Sequence, residues 1–441
     1  MTSPDWSSLL ELYQRTVCSG VLEYLEKQTE RKTRRSVYSA AVVLWLMILQ
    51  RLQGRATLAS AVQLMLAGAA GPVAADCRRV REGRISSRTA GYCQARQRLP
   101  TVLFQQVSEE MVERLRSLLQ PEGGPATFVL DGSSLELEHS QTLAKQYPPA
   151  RNHHGISHWP MVRIVVAHDV ETALAQQPCW GPMYGPHATS EQKLAESVLD
   201  SLPAGSLVIG DRNFGVFSVA WAAQQRSLPV LVRLTEARAK KILGFISRPG
   251  VYDLLWKASR WDHKHHPDLP AEATLTGRLV AARVGCGKSK QWLYLFTTSP
   301  LPAAQLVALY GKRWNIETDL RSLKRTVHLH HIHAHSEEMM EKELRIAISA
   351  YNLVRAVMCL AARRSGIDPR QLSFTQVLNV VDYAWHQLVG TGSHQQQDQE
   401  FLRVLERAAQ CRLPQRPKRR SFPRTQWRRG GMLQFKKPLT E

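Results

Sequence analysis

Acidic side chains are scarce in this chain: 37 Asp and Glu stand against 58 Lys and Arg, a formal net charge of +21 over 441 residues. That deficit points to a polyanionic partner, nucleic acid before an anionic membrane. Cysteine is also sparse. Seven thiols, at positions 18, 77, 93, 179, 286, 359 and 411, lie too far apart for a zinc knuckle, and their odd number argues against an extracellular disulfide scaffold. They read as thiols in a reducing cytoplasm. Val37 to Leu49 is strongly apolar but too short to cross a bilayer, so it reads as a buried helix. The N-terminus carries Asp5 and Glu11 and no basic segment leading into an apolar signal core. A cytoplasmic protein without a membrane partner is expected. No spacing supports a Ser-His-Asp hydrolase or a nucleotide cofactor. "GCGKSK" (Gly285 to Lys290) lacks the leading Gly of a phosphate loop, where Ala282 stands, and joins two strand candidates, so it reads as a hairpin turn.

What is there changes character along the chain. Residues 1–125 read as mostly helical, with blocks at Ser7–Lys27, Ser36–Leu52, Thr57–Leu66 and Leu103–Leu119. Between the last two lies a dense cationic tract that includes Arg88, Arg96 and Arg98, and from Ser87 it suits a short helix presenting basic side chains. Gly123, Gly124 and Pro125 mark a boundary. From Thr127 the pattern becomes strands alternating with helices: "TFVLDG" with "SLELEH", "MVRIVVAHD", a helix from Ser190 to Ser201, "SLVIGD", a helix at "FSVAWAAQQR" and "LPVLVRLTE". That order predicts a mixed α/β sheet over 126–235. Residues 236–300 read as a β-rich insertion, 301–365 as returning helices, and 366–441 as a helical region ending in a basic arm. Residues 412–437 hold ten Lys or Arg, Lys418, Arg419 and Arg420 among them, and Pro414, Pro417 and Pro423 break any helix there.

Against this basic background a few carboxylates stand out. Asp131 and Asp211 each end a predicted strand, where open α/β sheets place their active sites. "YGKRWNIETDLRSLKR" (Tyr310 to Arg325) reads as one helix in which Tyr310, Arg313, Glu317 and Lys324 share an arc of roughly 60°. Leu309, Ile316, Leu320 and Leu323 line the adjoining face. Three acids brought together repel unless neutralised, and Mg²⁺ suits oxygen ligands, retained waters and substrate phosphate. Two ions about 4 Å apart activate an attacking oxygen and stabilise a leaving one. Lys324, roughly 10 Å along a helix from Glu317, suits a flanking phosphate. Arg313 suits a fork of hydrogen bonds to another phosphate, and Tyr310 can donate to the same backbone. An ordinary Arg313–Glu317 ion pair on a helix surface is the plainer reading.

Here the chain resembles the DDE transposases of the insertion sequence four family. Tyr310, Arg313, Glu317 and Lys324 match its Y-x2-R-x3-E-x6-K signature, "LVIGDRNFG" resembles its second catalytic segment and "TFVLDGSSL" its first. The likeness runs from about residue 36 to 430. It implies an RNase H-like catalytic core, a mixed sheet flanked by helices, split by a β-rich insertion within the 106 residues between Asp211 and Glu317. It also implies metal-dependent hydrolysis at the ends of a mobile element, followed by attack of the freed 3′-hydroxyl on target DNA. Asp131, Asp211 and Glu317 become the catalytic, metal-holding acids, with Mg²⁺ (or Mn²⁺) as cofactor. Tyr310, Arg313 and Lys324 become phosphate contacts. The partners implied are double-stranded DNA, as terminal inverted repeats and target, and a second copy of the chain in a synaptic dimer. Trp292 matches an aromatic that in a well-studied relative fills the space of a flipped base, and Trp314 follows the signature arginine. Arg212, Arg321, Arg88, Arg96, Lys418, Arg419 and Arg420 are further candidate DNA contacts, and Glu191 a candidate support for the metals.

Two segments fall outside the pattern. "HLHHIHAH" (His328 to His335) reads as a solvated or DNA-facing connector in preference to a structural metal site, and "RNHHGISHWP" (Arg151 to Pro160) as a loop over the active face. Two other functions share these residues. A metal-dependent nuclease needs the acids but no strand transfer, and a decayed DNA-binding derivative needs the cations alone.

Overall fold

The computed structural model describes residues 36–54, 57–68, 73–74, 77–120, 125–153, 155–285, 291–330, 332–388 and 394–414. The helix expected at Ser7–Lys27, the Gly123–Gly124 boundary, residues 286–290 of the expected turn and the arm beyond residue 414, with Lys418, Arg419 and Arg420, lie outside the described residues.

The longer of the first described helices are α1 (Ala40–Leu52), α2 (Leu58–Leu66), α3 (Ala90–Arg98) and α4 (Thr101–Leu119), with one turn at Arg78–Arg81 between α2 and α3. Side-chain caps set the first two starts: Ser39 accepts from the Val42 amide and Thr57 from the Ser60 amide. Almost all of α1 is buried, as its apolar run demands.

The sheet then begins with β1 (Thr127–Glu136), β2 (Pro149–Asn152), β3 (Gly155–Asp169) and β4 (Cys179–Pro182). Helix α5 (Glu191–Val198), β5 (Leu207–Gly210), α6 (Phe217–Gln225) and β6 (Val230–Leu234) come next. The stretch read as a β-rich insertion holds α7 (Glu236–Leu243), β7 (Gly250–Lys257), α8 (Arg260–His265), β8 (Thr274–Val284) and β9 (Gln291–Thr297). All the strands belong to one path, β2-β3-β1-β5-β6-β9-β8-β7, with β4 alongside β3. Strands β1, β5 and β6 are parallel neighbours, and the other pairings are antiparallel. The sheet is therefore mixed and flanked by helices, the arrangement expected from the RNase H likeness. Strand β9 adds to the edge of β6, so the strands of 250–297 extend the central sheet directly.

Period-two alternation sorts the strands onto two cores. Phe128, Leu130, Val208, Val230 and Val232 face α5 and α6, whereas Val129, Val166, Ile209 and Leu231 face the N-terminal helices and those that come after β9. These are α9 (Ala303–Gly311), α10 (Asn315–Arg321), α11 (Glu337–Arg364), α12 (Phe374–Leu388) and α13 (His394–Gln410). Helix α11 is long and apolar enough to span a membrane, but 94% of its apolar window is buried within the fold. Buried charges on it are paired at close range. Glu343 accepts from Arg51 of α1 at 2.8 Å and from Arg96 of α3 at 2.6 Å. The Lys342 ammonium, fully buried, donates to the Arg96 carbonyl of α3 at 3.2 Å as well as to Glu338 on its own helix. These contacts fasten the N-terminal helices to the helix that backs the sheet.

Candidate active site

Parallel pairing sets the first relationship. Val129 of β1 lies opposite Ile209 of β5, so Asp131 and Asp211, each two residues further on, stand at the same level. Only Asp211 ends its strand as expected: β1 runs past Asp131 to Glu136, still paired with β3. Neighbouring strands are about 4.8 Å apart, and the alternation turns both acids toward the face that α10 covers. Ile316, Leu320 and Leu323 anchor that helix in the same core as Val129 and Ile209. The carboxyl of Asp131 is pushed up to about 6, first by burial, then by the negative charge of Asp211 and, more weakly, of Glu191. The Gly132 amide, which donates to it at 2.9 Å, and the Arg313 guanidinium act the other way. Arg313 is in turn 3.8 Å from Glu317, whose side chain is 49% exposed. One cation thus stands between the strand acids and the helical acid.

A fourth carboxylate arrives from the opposite face of the sheet. Ser190 caps α5 through the Lys193 amide, and Glu191 in the first turn reaches the Asp211 loop. There Asn213 donates from Nδ2 to Glu191 at 2.5 Å and from its amide to Asp211 at 2.7 Å. Gln192 holds Asn213 in turn, donating to its carbonyl at 3.0 Å.

A family profile described as "Transposase DDE domain" matches residues 122–353, a stretch running from just before β1 into α11 and so containing all four acids. The chain belongs to the DDE transposase family. It is also similar to the transposase InsG for insertion sequence element IS4 of Escherichia coli (strain K12). The two are 26% identical over 273 residues, 60% of this chain. The match spans 59% of that relative's length.

The signature stretch of this DDE transposase domain departs from the single helix expected. It is helical throughout but changes winding twice. Lys312–Trp314 is a 3₁₀ turn between α9 and α10, and Ser322–Thr326 widens into a π turn. Each change rotates the succeeding side chains relative to an even helix. Tyr310, on α9 ahead of both changes, is buried with its hydroxyl near Arg313 and Arg233, and burial raises its pKa. The π turn carries Lys324 back to β1, where its ammonium donates to Ser133 Oγ at 2.9 Å and the Ser134 carbonyl at 2.8 Å. Arg313 is largely buried, lies 4.5 Å from the Trp314 ring and keeps a buried Nε with no hydrogen-bond partner among the described residues.

The remaining candidates scatter. Trp314 is 62% exposed, and Arg88, Arg212 and Arg321 are exposed. Trp292 is half-buried on β9, stacked on Tyr294 with Arg283 4.7 Å away. Arg96 is not a surface cation at all: it is buried on Glu343, and its helix presents little of it to solvent. In "HLHHIHAH" the described residues fold back as a connector, with His333 3.0 Å from Glu138.

DDE transposase domains generally use divalent metal ions. Among the described residues no three His, Cys, Asp or Glu side chains cluster tightly enough to hold one as they stand. The donor set nevertheless fits such an ion. Its atoms are hard carboxylate oxygens, and Asp131, raised chiefly by burial and in part by Asp211, is a carboxyl that a bound cation would hold ionised.

Reading by residue type passed over the supports of this site. Asp319, on α10 two residues past Glu317, is 1% exposed and accepts from Arg355 of α11 at 2.6 Å and from Arg370 at 2.6 and 2.7 Å. Arg370 also donates to the Val170 carbonyl at 3.1 Å, tying the helix to the end of β3. Nothing in the one-dimensional pattern separates Asp319 from a surface acid. Gly132 was legible: a glycine inside a strand signals close approach of another group.

Proposed function

We propose that this chain is a DNA transposase that cuts at the inverted-repeat ends of its element and joins the freed 3′-hydroxyl strand to target DNA by cut and paste. The observation that carries this reading is the in-register pair Asp131 and Asp211, linked through Arg313 to Glu317. Asp131, Asp211 and Glu317 would hold divalent ions, Mg²⁺ being the one suited to a site of carboxylates and phosphate, and two per site the number that serves both oxygens of a displacement. When bound, such ions supply the charge that lowers the pKa of an attacking oxygen and stabilises a leaving one.

The chain's own side chains do the rest. Arg313 offers its unpaired Nε to a phosphate oxygen and balances the acids before substrate arrives. Lys324, held beside β1 by Ser133 and Ser134, stands ready for the neighbouring phosphate. Tyr310, buried and hence protonated at neutral pH, serves as a hydroxyl donor. Exposed Trp314 and half-buried Trp292 suit stacking against unpaired bases, a sequence-tolerant contact. Duplex DNA as partner, a dimer that pairs two ends, and a cytoplasmic location complete the reading, with residues 1–125 and the basic arm sharing end recognition.

The test is a duplex carrying the inverted repeat that flanks the gene, incubated with purified protein, Mg²⁺ and a target plasmid. Joined products are expected. Cleavage without joining would leave a nuclease, and undiminished cleavage by Glu317→Gln would overturn the assignment of the acids. Glu317→Gln should retain DNA binding, because the cationic face is untouched, whereas Lys324→Ala should weaken binding and slow cleavage together.

A further inference from the structure

Strand β3 changes character at Pro160. From Gly155 to Trp159 every residue is exposed, whereas from Pro160 onward the strand is buried or half-buried. The exposed part pairs with β2, Arg151 opposite Ile156, and the sequence expected to form a loop is instead a two-stranded ribbon standing clear of both cores. Two large apolar side chains stand on its opposite faces: Ile156, on the face shared with Arg151, is 66% exposed and Trp159 42% exposed. The His158 ring packs edge-on to Trp159 and stacks on His139 at 4.4 Å, which stiffens the base of the ribbon.

Charge selects the partner. The thirty residues from His139 to His168 contain no Asp or Glu, and Lys145 and Arg151 are exposed cations among them. Glu138, just before them, is taken by His333. An exposed ribbon free of acids and carrying Arg151 presents nothing that repels a polyanion and one cation that attracts it. Such a ribbon also fits the major groove of B-DNA, about 12 Å wide, which admits two strands side by side.

Register gives the distance. Asp131 lies opposite Val166 on β3, and Ser134, which Lys324 grips through its carbonyl, lies opposite Arg163. Trp159 is seven residues from Val166, roughly 24 Å along the strand, and Ile156 ten, roughly 34 Å. The second span is close to one turn of duplex, about 34 Å.

We infer that the ribbon Arg151–Pro160 is a DNA arm that enters the major groove of the duplex about one helical turn from the scissile phosphate. Ile156 makes apolar contact with base edges there, Arg151 on the same face meets the flanking backbone, and Trp159 on the opposite face packs against the groove wall. The position along the duplex rests on the active-site reading above; the contact with DNA does not.

The experiment uses the full chain carrying Glu317→Gln, so that DNA stays intact, and compares it with the same protein bearing Arg151→Ala and Trp159→Ala. Both are titrated by fluorescence anisotropy into inverted-repeat duplexes that extend about fifteen or about five base pairs beyond the scissile phosphate on each side in turn. The parent should bind the long duplex on the order of tenfold tighter than the short one on one side, and the ribbon variant should lose that difference. Equal affinities of parent and variant for every duplex would overturn the arm. So would a variant that binds normally but no longer sediments as the parent's oligomer, since the ribbon would then join two chains. If the unsubstituted protein fails to cleave while this binding difference persists, the active-site reading fails and the arm stands. Both changes are on exposed side chains, and matching melting curves exclude misfolding.

Discussion

The carboxylate of Glu191 occupies the space that a side chain at Gly132 would need. A Cβ built on Gly132 would lie 2.4 Å from Glu191 Cδ. Gly132 comes directly after Asp131 on β1 and Glu191 opens α5, so the glycine lets a carboxylate from one face of the sheet approach acids on the other. Asn213 completes the link by bonding Glu191 and Asp211 together.

Gly132→Ala should therefore push Glu191 away and loosen the Asp211 loop. Overpacking of this kind costs about 1–3 kcal/mol, read as a lower urea midpoint, with cleavage reduced at least tenfold. Adding Glu191→Ala should restore most of the stability but not the cleavage. Simple additivity of the two stability changes would show that the residues do not meet.

Asp131 provides a pH signature. Its carboxyl titrates at about 6, above its ordinary value of 3.8, because of burial and the adjacent Asp211. The folded chain binds this proton more tightly than the unfolded chain does. The group therefore favours folding fully below about pH 4, and that contribution disappears as pH rises to about 6. Divalent cations compete with the same proton, so Mn²⁺ affinity should fall below about pH 6 and binding near that pH should release protons. Calorimetric titration in buffers of different ionisation heat measures both. A pH-independent affinity would remove Asp131 from the cation site.

Asp319 predicts a stability effect larger than its size suggests. Two arginines share its buried carboxylate, and Asp319→Asn would leave a buried guanidinium without its anion. The expected loss is about 3–5 kcal/mol, measured by urea unfolding. A change below about 1 kcal/mol would mean that the clamp does not hold α10.

The legible part of this protein comes from local rules. Strands β1, β5, β6, β8, β9 and the part of β3 after Pro160 each show an alternation or an apolar run, and the mixed α/β architecture could be written from their order. Ser190, Ser336 and Thr57 mark helix starts, since each places an oxygen over free amides. The signature stretch was less transparent. Its spacing matches an even helix, yet a 3₁₀ turn lies between Tyr310 and Glu317 and a π turn redirects Lys324 while Leu320 and Leu323 pack into the core. The histidine-rich segment at 151–160 read as a loop for lack of apolar alternation. It is a ribbon because backbone pairing with β2 needs no buried face.

By itself the sequence determined which chemistry was available: an excess of cations, a few acids at the ends of strands, and helices whose apolar faces require a sheet to cover. Only the tertiary structure decided which of those groups meet. Arg96 became a buried partner of Glu343, Glu191 gained access through Gly132, and Asp319 became an anchor. Those outcomes depend on strand register and on which helix lies over which face, relationships between residues tens to hundreds of positions apart that no local pattern encodes.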